Sequence, residues 1–221
     1  MRWQQYVTAW AGHYGGYDLR RGSVPVRVWF RSGYLVARGL AAMRVKAATV
    51  GWLGLVPAAI VPSAASTSPN GLLLAAGLLL LAAFTVVLDR TLTVIRGIPP
   101  PRAAIRTAVT SRLGELAGLA GFWAAGVPGQ LVVTCGLLSW LYELIRREAV
   151  AAGMSRLGAL TLAERPARLS VMVGGLAVAG LLGQAEPQAT PGMLVMASVV
   201  WLLFALFGLG QLAGAVRKAL R

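Results

Sequence analysis

The order of apolar and polar positions predicts an all-α membrane protein: six transmembrane helices preceded by a cytoplasmic, interfacial amphipathic segment over residues 1–46. In that segment Trp3, Tyr6, Val7 and Trp10 recur at helical spacing, with Gln4, Gln5 and Thr8 between them. An aromatic face of this kind suits the headgroup boundary of a bilayer. The stretch VPVRVWFRSGYLVARGLAAMRVKA comes next, with Val28, Trp29, Leu35, Val36 and Leu40 on apolar positions. Arg27, Arg31, Arg38, Arg44 and Lys46 return every turn or two. This predicts a basic interfacial helix, in one piece or in two around Gly33.

Six apolar runs make up the remaining domain, residues 47–221: about 47–65, 71–88, 113–127, 129–145, 169–182 and 193–212. A hydrocarbon core of about 30 Å takes roughly 20 helical residues. The third and fifth runs are short by that measure. The third is expected to be the membrane half of a longer helix that starts near Pro99-Pro100-Pro101, since proline is tolerated in a first helical turn.

Composition agrees. Of 221 residues, 57% are hydrophobic and 13% charged, and mean hydropathy is +0.69. A soluble domain carries about a quarter charged residues, so the excess apolar surface belongs in lipid. No continuous apolar run near the N-terminus resembles a cleavable signal peptide. The net charge of +14 points to anionic headgroups as partners, and no nucleic-acid partner is expected. The positive charges are also sorted. Eight Lys/Arg precede the first run, five lie between the second and third, five between the fourth and fifth, and three follow the sixth. The alternate connectors SAASTSPN, GVPGQ and GQAEPQATPG have none. Positive charge collects on the cytoplasmic side, so a cell-membrane protein with both termini cytoplasmic is expected.

Few residues suit familiar catalytic chemistry. His13 is the single histidine and Cys135 the single cysteine, which leaves no Ser-His-Asp set, no zinc cluster and no intrachain disulfide. The glycines Gly174, Gly175 and Gly180, and Gly208, Gly210 and Gly214, are expected to allow close helix contacts rather than to cradle phosphate. Asp89, Glu115, Glu143 and Glu148 stand at the predicted cytoplasmic ends of spans, beside Arg90, Arg112, Arg146 and Arg147. Ionisable groups at membrane depth tend to be functional, although headgroup-level ion pairing also accounts for these. Glu164-Arg165-Pro166-x-Arg168 has the same look at the start of the fifth run.

The connector from Val87 to Gly118 carries Arg90, Arg96, Arg102, Arg106 and Arg112 against Asp89 and Glu115. With six spans, an N-terminal interfacial helix and this polar connector, the chain resembles the CDP-alcohol phosphatidyltransferases. YVTAWAGHYGGYDLRRG, TSRLGELAGLAGF and AAGMSRLGALTLAERPARL resemble one bacterial branch of that family. The resemblance implies the family motif D-x2-D-G-x2-A-R-x8-G-x3-D-x3-D across the second and third spans, whose aspartates hold two divalent cations. Those metals bind the CDP pyrophosphate, and the last aspartate activates an acceptor alcohol as CMP departs.

Against this motif Asp89 matches the first aspartate. Ala103 stands at the later glycine, Thr107 at the third aspartate and Ser111 at the fourth. The second aspartate and the Ala-Arg pair are missing, and the spacing from Asp89 to Arg112, which follows the motif, is shorter by about three residues. Glu115, one turn beyond Ser111, is the other carboxylate that could join Asp89 at a metal. A catalytically lapsed relative in phospholipid metabolism, with no cofactor, is therefore expected. Arg96, Arg102 and Arg106 would contact phosphate in an inherited cavity near Asp89, Thr107, Ser111 and Glu115. As family members are typically homodimers, a homodimer or a heterodimer with an active paralogue is implied. The alternative is an active phosphatidyltransferase with a rebuilt site, using Mg2+ or Mn2+.

Overall fold

The computed structural model describes residues 1–14, 18–98, 100–154 and 165–219, without the side chains of residues 100, 102, 165 and 219, and all regular structure in them is helical. The helices are α1 (Trp3–His13), α2 (Val24–Ala42), α3 (Ala47–Leu53), α4 (Leu55–Ala65), α5 (Pro69–Ile95), α6 (Pro100–Ala124), α7 (Gly129–Ala151), α8 (Arg165–Leu182) and α9 (Thr190–Ala219). Two single turns of 3-10 helix, Leu19–Arg21 and Pro187–Ala189, complete the order.

Local chemistry sets several boundaries. Ser68 caps α5: its Oγ accepts the Gly71 N–H at 3.1 Å, while Pro69 fills the first helical position, where no N–H is needed. At the other end the Gly97 N–H donates to the Val94 carbonyl and the Ile98 N–H to that of Thr93. This paired closure needs a left-handed residue at Gly97, whose φ is 62°. α2 ends in the same closure, with the Arg44 N–H on Ala41 and the Val45 N–H on Leu40. Here the left-handed residue is Arg44, φ 58°.

Three stretches are long and apolar enough to cross a membrane: Ala47–Ala65, Pro69–Ile95 and Pro187–Lys218. Pro166–Leu182 is a shorter apolar helix. α6 and α7, at 25 and 23 residues, have the length but carry charges. Arg102, Arg106, Arg112 and Glu115 lie on α6, and Glu143, Arg146, Arg147 and Glu148 on α7. Three long apolar stretches in one chain are what a membrane protein requires.

The contacts of the chain divide it into two compact units, residues 1–59 with 80–114, and residues 60–79 with 115–221. In the first, the aromatic row of α1 is turned into the protein instead of lying open for a headgroup layer. Tyr6, Val7 and Trp10 are buried together with Leu19, Tyr34 and Val94. Tyr6 and Tyr34 rings lie 5.0 Å apart, the Trp10 and Phe30 rings meet edge-on at 4.9 Å, and the Tyr34 hydroxyl donates to the Met1 carbonyl at 2.7 Å. α2 is one continuous helix through Gly33. Ala37, Ala47, Val50, Leu88 and Leu92 form a second small core beside it.

In the second unit α9 packs on both α7 and α8, around a core that includes Phe122, Cys135, Leu176, Ala179, Leu194 and Trp201. The expected role of the glycines holds in part. A Cβ at Gly175 would come within 2.8 Å of Ala197, and one at Gly180 within 2.8 Å of the Pro69 carbonyl. Gly174, Gly210 and Gly214 face open space instead.

Candidate functional site

Asp89 lies on α5, six residues before its end, and is fully buried. Both of its carboxylate oxygens are occupied from α6. Arg106 donates through Nη2 to Oδ1 at 2.5 Å and through Nε to Oδ2 at 3.2 Å, a two-pronged contact that matches guanidinium to carboxylate. Thr107 Oγ1 adds a third bond, to Oδ2 at 3.1 Å. The Asp89 carbonyl accepts the Thr93 hydroxyl at 2.8 Å. The space for this arrangement comes from Gly51 on α3, where a Cβ would stand 3.0 Å from Oδ2. The buried charge is therefore neutralised within the chain, which offsets a desolvation cost of several kcal/mol per ion.

The predicted site residues thus separate. Asp89 and Thr107 come together, and Arg106, expected on phosphate, is spent on Asp89. Ser111 turns back to its own helix, its Oγ donating to the Ala108 carbonyl at 3.0 Å. Arg96 is exposed just beyond α5. The side chain of Arg102 lies outside the described residues, as do Glu164 and the Arg165 side chain.

Glu115 belongs to a different cluster, in the second unit. Its Oε1 meets Arg168 Nε at 2.7 Å, and Arg168 Nη2 meets Glu143 Oε1 at 3.1 Å. Arg168 is 1% exposed, so this guanidinium on α8 ties together carboxylates of α6 and α7. It also donates to the Ser139 carbonyl at 3.4 Å, and the Ser139 hydroxyl accepts the indole N–H of Trp201 at 2.9 Å. The sequence places Arg168 only at a helix entrance. Nothing in a linear reading gives a separation of 53 residues between partners, and the one available signal was an arginine succeeded at once by an apolar run.

A further group stands over α5 in the first unit. The Arg90 guanidinium sits 5.6 Å from the centre of the Tyr14 ring, and the Tyr6 hydroxyl is 3.1 Å from Thr91 Oγ1. Burial pushes both phenols above their ordinary range; Thr91 opposes this at Tyr6, and Arg90 opposes it at Tyr14. His13, the single histidine, donates from Nδ1 to the Ala9 carbonyl at 2.9 Å. Asp18 is held below the usual carboxylate range by the Arg20 side chain and backbone N–H that it accepts.

The divalent cations implied by the family resemblance need several hard, negatively charged oxygens. Asp89 offers its two oxygens to a guanidinium, Thr107 and Ser111 are neutral, and Glu115 is bound to Arg168. Among the described residues no group of three or more His, Cys, Asp or Glu side chains is placed to hold a metal ion. These residues do not fit a two-metal centre. Comparisons with protein-family models, with curated proteins and with solved structures find no match to this chain, so the functional reading rests on the residues themselves.

Proposed function

We propose that this chain is a six-span membrane protein with cytoplasmic termini and N-terminal helices at the cytoplasmic surface, derived from the CDP-alcohol phosphatidyltransferases and no longer catalytic. α6, α7 and α8 supply the three middle spans in this reading. Its retained role is to bind a phosphate-bearing lipid or nucleotide at the cytoplasmic end of α5 and α6, in association with a second copy or an active paralogue. Arg96 and Arg102 make the first phosphate contacts. Arg106 joins them only where a ligand phosphate displaces Asp89 from its guanidinium.

The observation that carries this reading is the closure of Asp89. The position matching the first motif aspartate is buried and held by Arg106 and Thr107, and an arginine there repels the cations that the transfer would need. The test is titration of the purified protein with CDP-diacylglycerol, CDP and CMP, with and without magnesium, alongside an assay for CMP release. Binding that is indifferent to magnesium and weakened by Arg96→Ala, with no CMP released, supports the proposal. Magnesium-dependent binding with CMP release abolished by Asp89→Asn overturns it in favour of an active transferase. No response to any of the three compounds removes the ligand-binding reading altogether.

A further inference from the structure

α2 carries three parallel rows of side chains, and only one of them is covered by the protein. Phe30, Tyr34, Ala37 and Ala41 succeed one another at three- and four-residue spacing, and Tyr34 and Ala37 are buried. Arg27, Arg31 and Arg38 form a second row and are all exposed. Val24, Val28 and Leu35 form a third, at 61%, 61% and 60% exposure. At 3.6 residues per turn the arginine row runs between the covered row and the bare apolar one. A helix that leaves this much branched apolar surface uncovered next to a line of guanidinium groups has a partner that is apolar below and anionic at its rim.

We propose that α2 docks on anionic phospholipid: Val24, Val28 and Leu35 enter the acyl boundary, and Arg27, Arg31 and Arg38 meet headgroup phosphates. This rests on the reading that the N-terminal helices lie at the cytoplasmic surface, and is independent of the phosphate site near Asp89. Two observations select lipid over another occupant. First, four residues separate the end of α2 at Ala42 from the membrane-crossing stretch that starts at Ala47, which holds the two ends within about 18 Å even when extended. The first turns of that stretch also expose Trp52, Leu53 and Val56, so bare apolar side chains recur at the start of the span that α2 leads into. Second, pairing with the same face of another copy would bring two arginine rows together, whereas an anionic leaflet complements them. Arg31 is already steadied over the Trp3 ring, 5.9 Å from its centre, which lowers the entropy lost on binding.

The test uses the full chain with Val28→Cys carrying an environment-sensitive fluorophore; the other thiol, Cys135, is buried. The protein is reconstituted in phosphatidylcholine, with and without phosphatidylglycerol, and probed by emission shift and acrylamide quenching. The expected result is burial of the label in the anionic bilayer, weakened by salt. Each of Arg27→Gln, Arg31→Gln and Arg38→Gln shifts the docked fraction back by about fivefold in equilibrium constant. Lysine at the same three positions restores docking, and an unchanged helix content shows that the variants fold. A label that stays water-accessible in both bilayers overturns the placement of α2 at the surface. A label equally buried in both leaves the placement standing and overturns headgroup recognition. Burial that depends on protein concentration assigns the face to a second copy and overturns the lipid proposal.

Discussion

Asp89 and Arg106 settle the chemistry of their neighbourhood between them. A carboxylate with no solvent exposure needs partners that replace its lost hydration, and Arg106 supplies two hydrogen bonds in a fixed fork. Removal of one partner alone strands the other charge, a change that costs about 3–5 kcal/mol in a buried pair. We expect Arg106→Ala and Asp89→Asn each to destabilise the protein clearly, and the double variant to lose less than the two single losses together. Reversible unfolding of all four proteins in detergent measures this coupling; strict additivity would show that the pair is not formed. The sequence shows Asp89 and Arg106 plainly but not that they meet. Seventeen residues and a helix reversal separate them, which no 3.6-residue period relates, and the five arginines of the connector compete for two acids, Asp89 and Glu115. Arg106 therefore looks like a ligand contact until the position of Gly51 shows where the guanidinium and carboxylate have room to pair.

At the scale of elements, periodicity locates helices well and their outward faces poorly. Trp3, Tyr6, Val7 and Trp10 predict α1 correctly, yet the same row serves a membrane surface or a protein core. Thr91 on a helix 85 residues away decides for the core by taking the Tyr6 hydroxyl. The continuity of α2 through Gly33 is likewise tertiary, since a Cβ there would approach Val87 of α5 at 2.9 Å. The buried phenols give α1 a pH limit. Folding raises the proton affinity of Tyr6 and Tyr14 above the ordinary value of 10.0, so their contribution is fully present below pH 10. It is lost as pH rises from there towards the folded-state value. The midpoint of thermal unfolding should fall with pH in this alkaline range. Tyr6→Phe should flatten the fall while costing about 1 kcal/mol at neutral pH for the lost hydrogen bond.

For the whole molecule, charge sorting along the chain speaks to orientation, and packing speaks to something else. Ala47–Ala65, Pro69–Ile95 and Pro187–Lys218 stand out by hydropathy. α6 and α7 do not, because Arg106, Arg112, Glu115 and Glu143 dilute their apolar runs. The partners of three of those charges, Asp89 for Arg106 and Arg168 for Glu115 and Glu143, become evident only in three dimensions. The division of contacts, with residues 1–59 joined to 80–114, was equally hidden, because α5 and α6 each serve both units and run unbroken through the points where the units part. The proposed six-span orientation makes a direct prediction. Cysteines placed at the exposed positions Ser66 and Gln188 should react with a membrane-impermeant maleimide in intact cells, and one at Glu148 only after permeabilisation. Labelling of Glu148→Cys from outside would refute the arrangement.

The Asp89–Arg106 pair has a consequence for how the protein meets its surroundings. A carboxylate that waits for a dissolved cation is filled or empty according to supply, and competes with nucleotides and chelators for its ion. Arg106 is delivered on the same polypeptide and held at a high effective concentration by its tether. Its charge can be neither diluted nor stripped away. EDTA should leave the unfolding transition where it was, and the protein should keep its shape through any swing in cellular magnesium.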